Sequence, residues 1–284
     1  MNKLKPLPEE WSGLLNNEQK EAIENINGPL LIIAGAGSGK TRVLTYRYAH
    51  LIKTYGINFE NVLAITFTNK AANEMKDRIS DLLNLELSPK WISTFHSLCV
   101  KMLRIHGHLI GFNNNFTIYD QSDSTKLVRN CMRDSDIDTK QYSPKRIQAH
   151  ISSLKNQRIL PGEAVEFAQS FFDVKVAEIY SSYQKKLMLA NSMDFDDLLI
   201  KAVELLETSD KSLNYWSSKF QYIMIDEYQD TNMVQYRLVE LLASKHKNIC
   251  VVGDSDQSIY AFRGADIRNI EEFESDFKNA KVIS

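Results

Sequence analysis

Ile32-Ile33-Ala34-Gly35-Ala36-Gly37-Ser38-Gly39-Lys40-Thr41 decides how this chain is read. The apolar run from Leu30 to Ile33 reads as a buried strand, and Lys40-Thr41 opens a helical pattern of alternating polar and apolar residues. The turn between them is glycine-rich. Gly35, Gly37 and Gly39 let the backbone curl where a Cβ would clash, so that several N–H groups can point inward at phosphate oxygens. A helix starting near Gly39 adds its positive end. This is the Walker A, or P-loop, pattern, relaxed at its first position, where Ala34 stands instead of glycine. In such a loop Lys40 meets the β- and γ-phosphates of ATP, and the Thr41 hydroxyl is a ligand for Mg²⁺.

The surrounding sequence is compatible with that reading. The chain has 284 residues, 43% hydrophobic and 25% charged, which is the composition of a soluble globular protein of one large or two ordinary domains. The formal net charge is −2, so any contact with nucleic acid must rest on local patches. Cys99, Cys131 and Cys250 lie far apart without a Cys-x-x-Cys pair and read as small core residues of a reduced, cytoplasmic protein. Met1 to Trp11 has no apolar signal core, and no run reaches transmembrane length, so no membrane role is expected.

Short apolar runs alternate with helical patterns from residue 29 to 110. Strands are expected at 30–34, 62–67 and 91–94, and helices at 40–53, 71–83 and 95–106, which predicts an α/β fold with a parallel sheet. Beyond Gly111 the period changes. Leu127, Val128, Cys131 and Met132, then Ile147, Ile151 and Leu154, then Val176 to Leu187 recur at helical spacing, and no strand is expected between Asp120 and Asn191. Strands return at 222–225 and 249–252, and another begins at Val282. The expected organisation is an α/β domain over 1–110 and 192–284, interrupted by an all-helical subdomain over 111–191. The chain stops as a strand starts, which reads as a fragment.

A second stretch, Ile225-Asp226-Glu227-Tyr228-Gln229-Asp230, places two carboxylates just past an apolar strand. Ligands of open α/β sheets bind at that carboxyl edge. Asp226 is placed to hold Mg²⁺, and Glu227 to orient an attacking water and accept its proton. Taken alone, the same residues read as an acidic cap for a helix beginning near Thr231.

These motifs, in this order, resemble the N-terminal half of superfamily 1 DNA helicases of the PcrA/UvrD/Rep group. The resemblance runs from about Leu15 to Ser284. Leu15-Asn16-Asn17-Glu18-Gln19 resembles the Q motif, whose glutamine reads adenine, and Arg42 matches the arginine beside that base. Ala34 to Thr41 matches the family's Walker A motif, including the alanine start, and Asp226 to Asp230 its Walker B motif. Thr66 to Ala72, with Phe67 and Asn69, resembles motif Ia, and Ser93 to Ser97, with His96, resembles motif Ib; both are DNA contacts. Asp194-Phe195-Asp196-Asp197-Leu198-Leu199 resembles the segment returning from the inserted subdomain. Gly253 to Tyr260 with Arg263-Gly264-Ala265 resembles motif III, where Gln257 senses the γ-phosphate and Tyr260, Phe262 and Arg263 face DNA. One departure is Phe262, where the family usually has tryptophan; it brings the nuclease-linked recombination helicases of the same superfamily close as an alternative.

The resemblance implies a RecA-like domain 1A carrying a helical subdomain 1B. It implies an ATP-dependent DNA helicase of 3′ to 5′ direction, acting on single strands and single/double-strand junctions in replication or repair, in the cytoplasm with the nucleoid. The second motor domain, which supplies arginines to the γ-phosphate, would then lie outside these residues, leaving the fragment by itself nearly inactive. Different readings are a nucleotide- and DNA-binding module without turnover, and a P-loop motor on RNA. Without the resemblance Phe67, His96 and Phe262 would read as packing residues. Lys145-Arg146 and Lys155 to Arg158 read as solvated helix faces, with duplex DNA as the alternative.

Overall fold

The computed structural model describes residues 3–35, 37–85, 89–254, 273 and 275–284. In chain order the elements begin with α1 (Glu9–Ser12), α2 (Asn17–Glu24), β1 (Leu30–Ile33), α3 (Lys40–Tyr55), β2 (Val62–Thr66), α4 (Asn69–Leu83), β3 (Ile92–Thr94) and α5 (Phe95–His106). They continue with β4 (Thr117–Ile118), α6 (Gln121–Asp134), α7 (Pro144–Asn156), α8 (Phe171–Leu189), β5 (Ser192–Met193) and α9 (Phe195–Thr208). The last are α10 (Asp210–Lys219), β6 (Tyr222–Ile225), α11 (Met233–Ala243), β7 (Ile249–Gly253) and β8 (Lys281–Ile283). The α/β class expected from the sequence is the one observed. Strand positions agree to within a residue, and the helices at Lys40 and Asn69 run two residues beyond the expected limits, at opposite ends. By contacts the chain divides into two compact units, residues 1–98, 210–232 and 239–284, and residues 99–209 and 233–238.

The first unit holds a six-stranded, wholly parallel sheet in the order β3-β2-β6-β7-β1-β8, the RecA-like arrangement. Every residue of β2, β6 and β7 is buried, as expected of strands covered on both faces, and their sequences are accordingly apolar runs. Because all strands are parallel, Ile33, Thr66, Thr94, Ile225 and Gly253 end on one edge. Two of the helices that start at that edge are capped by side chains. Thr68 accepts the N–H of Ala71 at 3.1 Å to start α4, and Asn16 and Gln19 form a capping box at the start of α2. Arg47 is wholly enclosed in the core, where its guanidinium donates to the carbonyls of Ala22 and Asn25 at 2.6 and 2.7 Å. It thereby satisfies the last carbonyls of α2 from inside α3. Among the described residues no helix is long and apolar enough to cross a membrane.

The second unit is built on α6, α7 and α8, whose inward residues Val128, Met132, Ile147, Ile151, Val176, Tyr180 and Leu187 form one buried cluster. A two-strand parallel pair, β4 with β5, joins Thr117–Ile118 to Ser192–Met193. Its first strand falls inside 111–191, expected to be all-helical, and each strand is too short for an alternation signal.

Lys155 is neither on a solvated face nor free for DNA: it is 1% exposed, and its ammonium lies 2.7 Å from Asp194 and 2.8 Å from Asp197. Tyr183 donates to Asp194 at 2.9 Å, and Gln184 to Asp197 at 2.9 Å. Its neighbour Arg158 pairs with Glu207 at 2.8 Å. Helical period alone puts a lysine on either face, and the buried partners come from α9, 39 to 42 residues along the chain. Burial pushes the Asp197 carboxyl up, to about 6, with Asp194 adding its like charge and Lys155 resisting. Burial acts the same way on Asp194, but there the ammonium and the hydrogen bonds prevail and hold it below its ordinary value.

Removing the cation strands two buried carboxylates. Lys155→Met is expected to cost about 3–5 kcal/mol at pH 7.5, read by urea denaturation. Asp197 titrates above its unfolded value, so its ionised form opposes folding above about pH 6 and that opposition fades on acidification. Without the ammonium both carboxyls rise further, so acidification from pH 7.5 to 5 relieves the variant more than wild type and the cost shrinks; a cost that stays constant over that range contradicts the assignment.

Candidate active site

The loop after β1 needs glycine at two described positions. Gly37 and Gly39 have φ of +78° and +87°, the left-handed region that L side chains avoid. A Cβ on Gly39 would also stand 3.1 Å from Gln19 Nε2. That amide donates to the Ser38 carbonyl at 3.1 Å, while Gln19 Oε1 accepts the Asn16 N–H at 3.1 Å. Gln19 thus ties the start of α2 to the loop, and contact with a base would require its amide to exchange a partner. The Ser38 hydroxyl closes the turn on the Gly35 carbonyl at 2.7 Å. Gly35, Gly37 and Ser38 are exposed, and Ala34 is held to the sheet by its N–H on the Gly253 carbonyl at 3.0 Å.

Lys40 is the first residue of α3 and is buried. Its ammonium lies 3.0 Å from Asp254 Oδ2 and 3.9 Å from Glu227 Oε2. The Thr41 hydroxyl donates to Asp226 Oδ2 at 2.8 Å, and Asp226 Oδ1 accepts the Glu227 N–H at 3.0 Å. Glu227 has φ +50°, an uncommon value for a non-glycine residue and a conformation that concentrates at functional sites. Gln229 joins the two acidic ends: its amide donates to Glu227 Oε2 at 2.7 Å, and its carbonyl accepts the Asp254 N–H at 3.1 Å. The ammonium is thus paired with two carboxylates, from the ends of β6 and β7, and Asp226 is a third acid beside them that feels its charge. Burial, above all, holds the Asp226 carboxyl above its ordinary value, and the charge of Glu227 adds to it against the Thr41 hydrogen bond.

This donor set fits a hard divalent cation. A hydroxyl and a carboxylate 2.8 Å apart are oxygen ligands of the kind Mg²⁺ takes while keeping water and phosphate oxygens. The excess of negative charge in the cluster favours such an ion, and the exposed glycine loop beside it leaves room for phosphates.

Arg42 is exposed, its guanidinium 5.6 Å from the Tyr46 ring centre. Phe67 follows β2 and is half-buried, edge-on to Phe95 at 5.7 Å between ring centres. Asn69 is exposed at the first turn of α4. His96 is half-buried in the first turn of α5, beside the Thr94–Ser97 hydroxyl pair at 3.0 Å. Phe67, Asn69 and His96 thus sit beyond the ends of the adjacent strands β2 and β3. Ala36, Gln257, Tyr260, Phe262 and Arg263 lie outside the described residues.

Gln229 and Asp254 are the residues that sequence reasoning did not single out. Asp254 carries the same signal as Asp226, an acid directly after a buried apolar strand, whereas Gln229 gives none, because its role depends on two backbone ends meeting in space.

Residues 15–278 match the UvrD/REP helicase N-terminal domain family. The chain is similar to ATP-dependent DNA helicase PcrA of Staphylococcus epidermidis, 50% identical over 269 residues, which is 95% of this chain and 37% of that protein. It is similar to the PcrA of Staphylococcus aureus to the same extent, 50% over 269 residues. The chain thus spans 37% of the length of these relatives.

A carboxyl held above its ordinary value is one whose ionised form the fold disfavours at neutral pH. Asp226→Asn is expected to raise the melting temperature in Mg²⁺-free buffer at pH 7.5, since Asn can accept from Glu227 N–H and face the Thr41 hydroxyl. The same variant loses Mg²⁺-dependent nucleotide affinity. A lowered melting temperature contradicts this account of the site.

Proposed function

The chain belongs to the UvrD/REP helicase N-terminal domain family, and from that premise we propose that it is the ATP- and single-strand-binding part of an ATP-dependent DNA helicase. The observation that carries the reading is the gathering of Lys40, Thr41, Asp226 and Glu227 beside a glycine loop on one sheet edge. In this reading the loop N–H groups and Lys40 bind the phosphates of ATP, with Gln19 and Arg42 beside the adenine. Thr41 and Asp226 hold Mg²⁺, which when bound neutralises charge on the phosphates. Glu227 orients the attacking water and takes its proton. Its carboxylate is half-exposed and fixed by Gln229, so it is both held and reachable. Gln257 is assigned the γ-phosphate by its place in motif III.

Phe67, Asn69 and His96, with Tyr260, Phe262 and Arg263, are proposed to line the DNA path. Half-buried aromatics at strand ends offer faces on which bases stack without regard to sequence. Domain 1A over 1–110 and 192–284 and subdomain 1B over 111–191 are part of the proposal; the second compact unit contains all of 111–191. So are the 3′ to 5′ direction, the junction substrate and a place in replication or repair in the cytoplasm.

The test is a pair of variants read by two assays. Lys40→Ala is expected to lose most MgATP affinity in calorimetric titration while keeping single-strand affinity in fluorescence anisotropy. Phe67→Ala is expected to keep MgATP affinity and lose about 1–3 kcal/mol on the oligonucleotide if a base stacks there. Unchanged MgATP binding by Lys40→Ala would overturn the nucleotide site.

A further inference from the structure

We propose that Asp254 is an internal rival of nucleotide phosphate: it shares the Lys40 ammonium and so weakens nucleotide binding at the loop. The inference rests on the nucleotide site proposed above and assigns a role to a residue outside the P-loop and Walker B motifs. Asp254 Oδ2 lies 3.0 Å from Lys40 Nζ, nearer than Glu227 at 3.9 Å. Asp254 is 1% exposed and Lys40 8%, so water does little to screen the pair. The carboxylate is not there by a chance rotamer. Gly253 stands in register with Ile33, which places the residue after β7 against the loop after β1. The Asp254 N–H is pinned by Gln229 Oε1 at 3.1 Å, and Gln229 is itself fastened to Glu227 at 2.7 Å. Two strand ends and a buried glutamine therefore aim this carboxylate at the ammonium.

A phosphate reaching Lys40 meets one of two costs. If it displaces Asp254, a buried carboxylate loses the Lys40 ammonium. If it joins Asp254 on the same ammonium, two anions stand together out of water. Both costs scale with the charge on residue 254, and neither arises when that residue is neutral. A purely structural aspartate makes the opposite prediction, because its loss would loosen the lysine and cost affinity. Asp254 on this account is a positioning residue that sets nucleotide affinity, not a catalytic one.

The experiment is calorimetric titration of the 284-residue chain with MgATP and MgADP, beside thermal melts with and without saturating MgATP. Wild type is compared with Asp254→Asn, Asp254→Ala and Lys40→Ala. Both Asp254 variants are expected to bind MgATP about tenfold more tightly, equivalent to about 1.4 kcal/mol. They melt lower than wild type without nucleotide, and MgATP raises their melting temperature by more than it raises that of wild type. Equal or weaker MgATP affinity in whichever variant folds overturns the proposal while leaving the nucleotide site intact. If instead Lys40→Ala binds MgATP as well as wild type, the nucleotide site itself has failed, and with it this inference.

Discussion

A buried ammonium needs anions, and in this chain the ammonium and its anions come from three separated stretches of sequence. Lys40 follows β1, Asp226 and Glu227 follow β6, and Asp254 closes β7. They meet because every strand of the sheet runs the same way, so all carboxyl ends share an edge. Parallel order in turn requires crossover connections and strands covered on both faces, which the buried apolar runs of β2, β6 and β7 provide. The cost of the arrangement is visible at the site. A glutamate sits at positive φ, and an aspartate is kept at a raised pKa by burial. Such features persist only where the surrounding structure over-determines them.

The second unit repeats the physics without the chemistry. Lys155 is another buried ammonium, and Asp194 and Asp197 close on it from the start of α9. Here the carboxylates also cap the helix, each accepting an N–H of the other residue in a reciprocal box. Tyr183 and Gln184 donate to the same two oxygens that face the ammonium, so all four carboxylate oxygens have partners within the cluster. The cluster at the sheet edge differs in having an exposed glycine loop at its side and a third carboxylate beside its one ammonium.

The sheet was legible in the sequence because buried parallel strands read as compact apolar runs, and the loop because positive φ at Gly37 and Gly39 demands glycine. Asp226 and Glu227 were legible because an acidic pair directly follows such a run. Lys155 was not, since an amphipathic helix tells which residues are apolar and not which charged ones have distant partners. Arg47 was hidden for the same reason: its two carbonyl partners lie 22 and 25 residues earlier, at the end of another helix. Gln229 bridges groups that adjoin only after β6 and β7 pair.

On the proposed reading, one ammonium among three carboxylates binds phosphate only together with a divalent cation. Titration calorimetry of the wild-type chain with ATP, in excess Mg²⁺ and again in EDTA at the same ionic strength, tests it directly. Clear binding is expected with Mg²⁺ and at least about tenfold weaker binding in EDTA, a difference of about 1.4 kcal/mol. Equal affinity in the two buffers would contradict it.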